Sequence, residues 1–151
     1  MDKKEIESGL ELAVQFDKEG TGLVPVIVQD NISKEVLMLA YANREALEKT
    51  LEVNPKYNKR LATFYSRSRK EIWTKGETSG DFLEIINILV DCDQDALIYK
   101  VQKVGSGACH TKGTDGKTRG SCFYREITDD GRLEFVKKIK GLFHHLFGYK
   151  N

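Results

Sequence analysis

The chain has 151 residues, 40% of them hydrophobic, the size and apolar content of one domain with its own core. Its 24 Lys and Arg stand against 23 Asp and Glu, and the net charge of +1 excludes a broadly basic nucleic-acid or membrane surface; any cationic site must be local. No apolar run approaches the roughly 18 residues that span a bilayer and no apolar h-region follows Met1-Asp2-Lys3-Lys4-Glu5, so the expectation is a soluble cytoplasmic protein with reduced thiols.

In chain order, Ile6, Leu10, Ala13 and Val14 recur at helical spacing and predict a helix from Lys4 to Phe16, stopped by Asp17-Lys18-Glu19-Gly20. Gly22–Asp30 and Glu35–Ala42 are rich in Val, Ile, Leu and Tyr and read as two strands joined by the polar turn Asn31-Ile32-Ser33-Lys34. Pro25 argues against the first unless that strand lies at an edge. Asn43 is the expected N-cap of a helix through Ala46, Leu47 and Leu51 that ends before Asn54-Pro55. Lys56 to Arg60 reads as a charged loop, and Leu61–Tyr65, Phe82–Val90 and Ala96–Val104 have strand composition. From Arg132 to Tyr149, Leu133, Val136, Ile139, Leu142, Phe143, Leu146 and Phe147 predict an amphipathic helix with Lys137, Lys138 and Lys140 facing solvent. Strands and helices mix without a βαβ alternation, which makes the fold class α+β: a single domain with a strand-rich core and flanking helices.

The chemistry-bearing residues fall in two groups. The first is Asp91-Cys92-Asp93-Gln94-Asp95 with Cys109-His110 and Ser121-Cys122, which together hold all three cysteines. One of the three stays unpaired under any internal disulfide scheme, so metal binding or catalysis is the better reading than bridges. Three thiolates can hold zinc and leave its fourth tetrahedral position open, while Asp91, Asp93 and Asp95 suit a harder, oxygen-ligated cation such as magnesium. The plainer alternatives are small buried cysteines and a solvated acidic turn. If Asp91 to Asp95 continue the preceding strand, the carboxylates face away from Cys92, which then reaches zinc across a subunit interface; if the segment turns, all the groups meet in one chain. His110 is a candidate fourth ligand or general base, and His144 and His145 are assigned to the surface.

The second group runs from Tyr65 to Gly80. Ser66, Arg67, Ser68, Arg69, Lys75, Thr78 and Ser79 supply the guanidinium forks, ammonium and hydroxyls of a phosphate site. Trp73, the only tryptophan, either stacks on a heterocyclic base or anchors the core.

Taken together, Ser66-Arg67-Ser68-Arg69, Trp73, Lys75-Gly76-Glu77-Thr78-Ser79-Gly80, Asp91-Cys92-Asp93-Gln94-Asp95, Cys109-His110-Thr111 and Ser121-Cys122-Phe123 resemble phosphoribosyl-AMP cyclohydrolase. The resemblance covers about Gly22 to Arg125. It implies a homodimeric, zinc-dependent and magnesium-stimulated hydrolase with active sites at the subunit interface. Such an enzyme opens the adenine ring of 1-(5-phosphoribosyl)-AMP between N1 and C6, the third step of histidine biosynthesis. By position it makes Cys92, Cys109 and Cys122 the zinc thiolates, Asp91, Asp93 and Asp95 the magnesium carboxylates and His110 a catalytic residue. It places the catalytic domain at residues 1–127, with 128–151 a helical appendage of the same domain. The loop Lys112–Gly120 is longer than the family's usual turn, and no pyrophosphohydrolase domain is seen, so a monofunctional enzyme is expected. Two other readings compete. A zinc-dependent purine or nucleotide deaminase attacks the same carbon, but its H-x-E and P-C-x-x-C motifs are absent. A zinc-stabilised RNA-binding module would use the basic segment as its grip.

Overall fold

The structure, a computed structural model, describes residues 1–137. The elements run α1 (Lys3–Ser8), β1 (Val24–Asp30), β2 (Val36–Ala42), α2 (Arg44–Leu51), β3 (Val53–Asn54) and β4 (Lys59–Arg60). They continue with β5 (Thr63–Ser66), β6 (Glu71–Thr74), β7 (Leu83–Val90), β8 (Leu97–Lys103), β9 (Arg125–Ile127) and β10 (Leu133–Phe135). The α+β expectation holds: two helices flank a strand-rich core.

Alternation in β1 fixes the centre of the fold. Val24, Val26 and Val28 are buried while Pro25, Ile27 and Gln29 take the opposite face. The main sheet has the order β2-β1-β8-β7, with β1 parallel to β8 and the other pairs antiparallel. Leu97, Tyr99 and Val101 of β8 bury the same face, and α2 and the β5–β6 hairpin cover it with Ala46, Leu47 and Phe64. Pro25 does not mark an edge, since β1 is central. It precedes Val26, the first residue of β1 to pair with β8, so its missing N–H costs that ladder nothing.

A bulge in β2 positions the site described below. Val28 pairs with Met38 and Gln29 with Val36, leaving Leu37 as the extra residue. Leu37 and Met38 are consequently both buried, and the Leu37 carbonyl accepts the Cys122 N–H at 2.7 Å.

Asn43 caps α2 as predicted, accepting the Ala46 N–H at 2.8 Å. Elsewhere tertiary contacts override local pattern. The first helix stops at Ser8 instead of Phe16: Gly9 is a poor helix former, and beyond it the chain extends. Ala13 and Gln15 then donate their backbone N–H groups to Oε1 and O of Gln94, both at 2.8 Å, and Val14 and Phe16 enter the core. Lys59–Arg60, read as loop, pairs with Val53–Asn54, and β6 adds a strand within the segment read for its chemistry. The helix expected from Arg132 is not helical at its start, because Leu133–Phe135 pairs with Arg125–Ile127. That hairpin crosses the 127/128 boundary, and the rest of the expected helix, with His144 and His145, lies outside the described residues. No helix among the described residues is long and apolar enough to cross a membrane.

Candidate active site

The acidic group does not continue β7. Asp91 to Asp95 form the turn into β8, with Gln94 in the left-handed region at φ 58°. Asp91 Oδ1 accepts the N–H groups of Asp95 at 2.9 Å and Ala96 at 3.1 Å, which curls the turn tightly. The consequence is convergence: one ligand oxygen from each of Asp91, Asp93 and Asp95 lies within 4.8 Å of the others. Lys18 joins them, its Nζ donating to Asp93 Oδ2 at 2.6 Å and Asp95 Oδ2 at 2.8 Å. The Lys18 hydrogen bond, reinforced by Asp95, holds the Asp93 carboxyl at about 2, and the same contacts push the Lys18 ammonium above its ordinary value. Asp91 shifts upward, through partial burial first and its hydrogen bond with Asp95 second. These oxygens fit a divalent cation, and a cationic group already occupies part of their space.

The thiols are arranged differently. Cys109 is buried, at 3% exposure, and its Sγ lies 2.9 Å from Thr111 Oγ1 and accepts the Thr111 N–H at 3.4 Å. Cys122 lies close by, near enough for each thiol to shift the other's ionisation. Partial burial raises the Cys109 thiol, but the Thr111 hydrogen bonds, Cys122 and Arg119 outweigh it and the net shift is downward, toward thiolate. Cys122 is exposed as a residue, yet protein crowds its sulfur. That desolvation, with Cys109 beside it, pushes the thiol up to about 11, and only the Lys75 ammonium opposes it. Two soft donors side by side, one of them biased toward the charged form, fit zinc.

The long loop between these cysteines closes on itself. Arg119 N–H bonds Thr111 O at 2.9 Å, Lys112 bridges Thr118, and Gly113 N–H bonds Lys117 O at 3.0 Å. This short ladder brings Arg119 back beside Thr111, so its length leaves Cys122 next to Cys109. Gly107 is required at its base, since a Cβ there would lie 2.3 Å from Arg119 O.

Cys92 does not join this pair. It is exposed in the acidic turn, and Asp91, Asp93 and Asp95 are the only group of three or more metal-type side chains that converges among the described residues. The seven residues of β8 separate that turn from the Cys109 loop, roughly 20 Å at about 3.3 Å per residue. Acid triad and thiol pair therefore sit at opposite ends of one sheet. His110 is exposed and adjoins Cys109 on the thiol side.

The basic segment also divides. Ser66, Arg67, Ser68 and Arg69 form the tip of the β5–β6 hairpin, where the Arg69 N–H donates to Ser66 Oγ at 3.2 Å and the Arg67 guanidinium stacks 4.0 Å over the Tyr41 ring. Lys75, Thr78 and Ser79 lie at the other end of β6, beyond Thr74. Lys75 is buried, at 8% exposure, near Cys122, while Thr78 and Ser79 are exposed. Trp73 takes the core role, half-buried with its ring 5.3 Å from Phe64. Gly76 fixes the corner: its φ is 100°, and a Cβ there would lie 2.4 Å from the Phe82 nitrogen. Residues missed from sequence are Lys18, Tyr41, Thr111 and Arg119. Lys18 had no local signal, since it reaches its partners across 75 and 77 positions of chain.

Comparison with known proteins settles the family. The model of the family described as phosphoribosyl-AMP cyclohydrolase matches residues 38–124, which include every catalytic, substrate and metal candidate above except Lys18. The chain belongs to the phosphoribosyl-AMP cyclohydrolase family. It is 45% identical over 138 residues to the phosphoribosyl-AMP cyclohydrolase of Chlorobium chlorochromatii, covering 91% of this chain and 90% of that one. Its identity to the phosphoribosyl-AMP cyclohydrolase of Archaeoglobus fulgidus is 48% over 119 residues, 79% of this chain and 96% of that one. A bifunctional histidine-biosynthesis protein of Aquifex aeolicus is 49% identical over 116 residues, 77% of this chain and 50% of its own length. As a phosphoribosyl-AMP cyclohydrolase the chain is a hydrolase of histidine biosynthesis, which sets the deaminase and RNA-module readings aside.

Proposed function

We propose that this cyclohydrolase opens its substrate at a zinc site that two copies of the chain build together, with Cys109 and Cys122 from one and Cys92 from the other. The observation that carries this reading is the split of the thiols: two lie side by side, and the third is a strand's length away. A second copy is supported by the open face of the sheet. Leu39, Ile27, Ile98 and Leu89 lie in register across all four strands on the side away from the core, and three of them are 37–48% exposed. An apolar row of this kind suits burial against a like surface.

Cys92, Cys109 and Cys122 would hold zinc, which when bound would supply the acidification that makes water a nucleophile at pH 7. The adenine substituted at N1 is electron-poor at C6. Water oxygen bonds to C6 and the C6–N1 bond breaks; one water proton passes to N1 and the other to the exocyclic nitrogen, so that C6 becomes a carboxamide. His110, exposed beside Cys109, would accept a water proton and return it. Thr111 holds the Cys109 sulfur, Arg119 donates to Thr111 Oγ1, and Lys75 offsets negative charge at Cys122. The two ends of the β5–β6 hairpin suit a substrate with two phosphate-bearing arms, Arg67 and Arg69 at the tip and Lys75, Thr78 and Ser79 at the base. Grip on the arms aligns C6 and can contribute several kcal/mol to lowering the barrier. Asp91, Asp93 and Asp95 would hold magnesium, which orients rather than attacks.

Turnover of 1-(5-phosphoribosyl)-AMP, followed by the loss of the purine absorbance with zinc stripped and restored, tests the reading. Ring opening should stop on removal and return on addition; an intact ring in the zinc-replete protein would overturn it.

A further inference from the structure

The acidic turn contains a group that its metal role does not need. Asp91, Asp93 and Asp95 bring three carboxylates within 4.8 Å, a mutual repulsion that the turn's own hydrogen bonds do not neutralise. The neutralising charge comes from Lys18, whose ammonium lies 2.6 Å from Asp93 and 2.8 Å from Asp95. The backbone delivers it there. The strap from Ala13 to Phe16 is tied to the same turn, with Gln94 accepting the Ala13 N–H on its side chain and the Gln15 N–H on its carbonyl, each at 2.8 Å. The Gln94 amide in turn donates to the carbonyls of Ile6 at 3.0 Å and Glu11 at 3.3 Å. Lys18 follows two residues after the strap enters the core at Phe16, so its reach to the turn is set by the fold.

We infer that Lys18 is a tethered counter-cation that holds the acidic turn together in cation-free protein and must be displaced by the divalent cation that binds there. The inference rests on the reading of Asp91, Asp93 and Asp95 as a magnesium site. The Lys18 ammonium, on Asp93 Oδ2 at 2.6 Å and Asp95 Oδ2 at 2.8 Å, engages two of the three carboxylates that would hold the cation, so the two positive charges compete for the same donors. The affinity for the metal is then reduced by the fraction of protein in which Lys18 has let go. A closed form favoured by ~10 to 1 lowers it ~10-fold. Lys18 and Asp93 line an open cleft of about 990 Å³ into which the displaced ammonium can turn; its wall carries Asp17 and Glu7, and also Lys3 and Arg44. With its side chain 43% exposed, Lys18 can leave the turn without disturbing the core. Lys18 is thus a positioning residue that sets the cation concentration at which the turn fills.

The test is Mn2+ binding to the full chain, read as free Mn2+ by electron paramagnetic resonance, in wild type, Lys18→Met and Lys18→Arg. Lys18→Met should bind ~10-fold more tightly, and Lys18→Arg, which keeps the charge, no more tightly than wild type. In parallel, the 15Nζ resonance of Lys18 should be sheltered from exchange in cation-free protein and lose that shelter on saturation with Mg2+. Equal or weaker Mn2+ binding by Lys18→Met, or a Lys18 signal unmoved by Mg2+, overturns the role of Lys18 alone. Failure of both wild type and Lys18→Met to bind Mn2+ overturns the underlying reading of the turn as a cation site.

Discussion

Cys109→Ser is expected to give a folded protein that has lost zinc and ring-opening activity. The substitution is nearly isosteric at a buried position, and the backbone bonds that hold the loop, from the Ala108 and Cys109 N–H groups to Arg119 O at 3.0 Å, do not involve the sulfur. A serine hydroxyl still satisfies Thr111, so folding survives. What changes is the donor: a hydroxyl does not ionise near neutral pH and is a poor zinc ligand, whereas this thiol is already biased toward thiolate. Loss of an outer partner of a metal site costs ~10–100-fold, and loss of a ligand should exceed that. Turnover, zinc content and circular dichroism together check it. Activity within about tenfold of wild type, with zinc retained, would remove Cys109 from the site.

Phe64→Ala should produce the largest loss of stability among single substitutions of the β5–β6 hairpin. Phe64 is fully buried, and its ring lies 5.3 Å from Trp73 and 5.7 Å from Tyr99, so it joins the hairpin to the central strand β8. Truncating a buried Phe leaves a cavity and costs ~3–5 kcal/mol. The hairpin also presents Arg67 at one end and Lys75 at the other, so a loosened hairpin should raise KM for the substrate before the protein unfolds. Urea denaturation gives the first quantity and steady-state kinetics the second. A loss below ~1 kcal/mol, the scale of an ordinary substitution, would contradict this packing.

Much of the molecule was legible because its signals are local. The alternating valines of β1, the Asn43 cap and the apolar runs of β7 and β8 each state their own structure within a few residues. The motifs did so too, and the family follows from them. What could not be read depends on distant partners. Ala13 to Phe16 keeps a helical spacing but extends, because Gln94, some 80 positions away, offers its backbone better bonds. Strand alternation gave one of two paths for Asp91 to Asp95, and the left-handed Gln94 selects the turn, which gathers the carboxylates that a strand would have merely aligned. Leu133 to Phe135 fits a helical stripe equally well as the strand it forms, since three residues cannot distinguish the periods and Arg125–Ile127 decides. By local pattern Lys18 belongs to a helix stop, and its acidic partners meet it only in the folded chain. The segment from Ser66 to Ser79 looked like one cradle, and β6 in its middle divides it in two.

The central claim is that the catalytic zinc site is shared between two chains, and mixing two inactive variants tests it most directly. Cys92→Ser and Cys109→Ser, each dead alone, are unfolded together, refolded with zinc and assayed for opening of 1-(5-phosphoribosyl)-AMP. In a mixed pair one site receives both substitutions and the other receives none. Random pairing makes about half of the dimers mixed, so activity should return to about a quarter of the wild-type value. No recovery, in a mixture shown to contain mixed dimers, would contradict a site that Cys92 of one chain completes with Cys109 and Cys122 of the other.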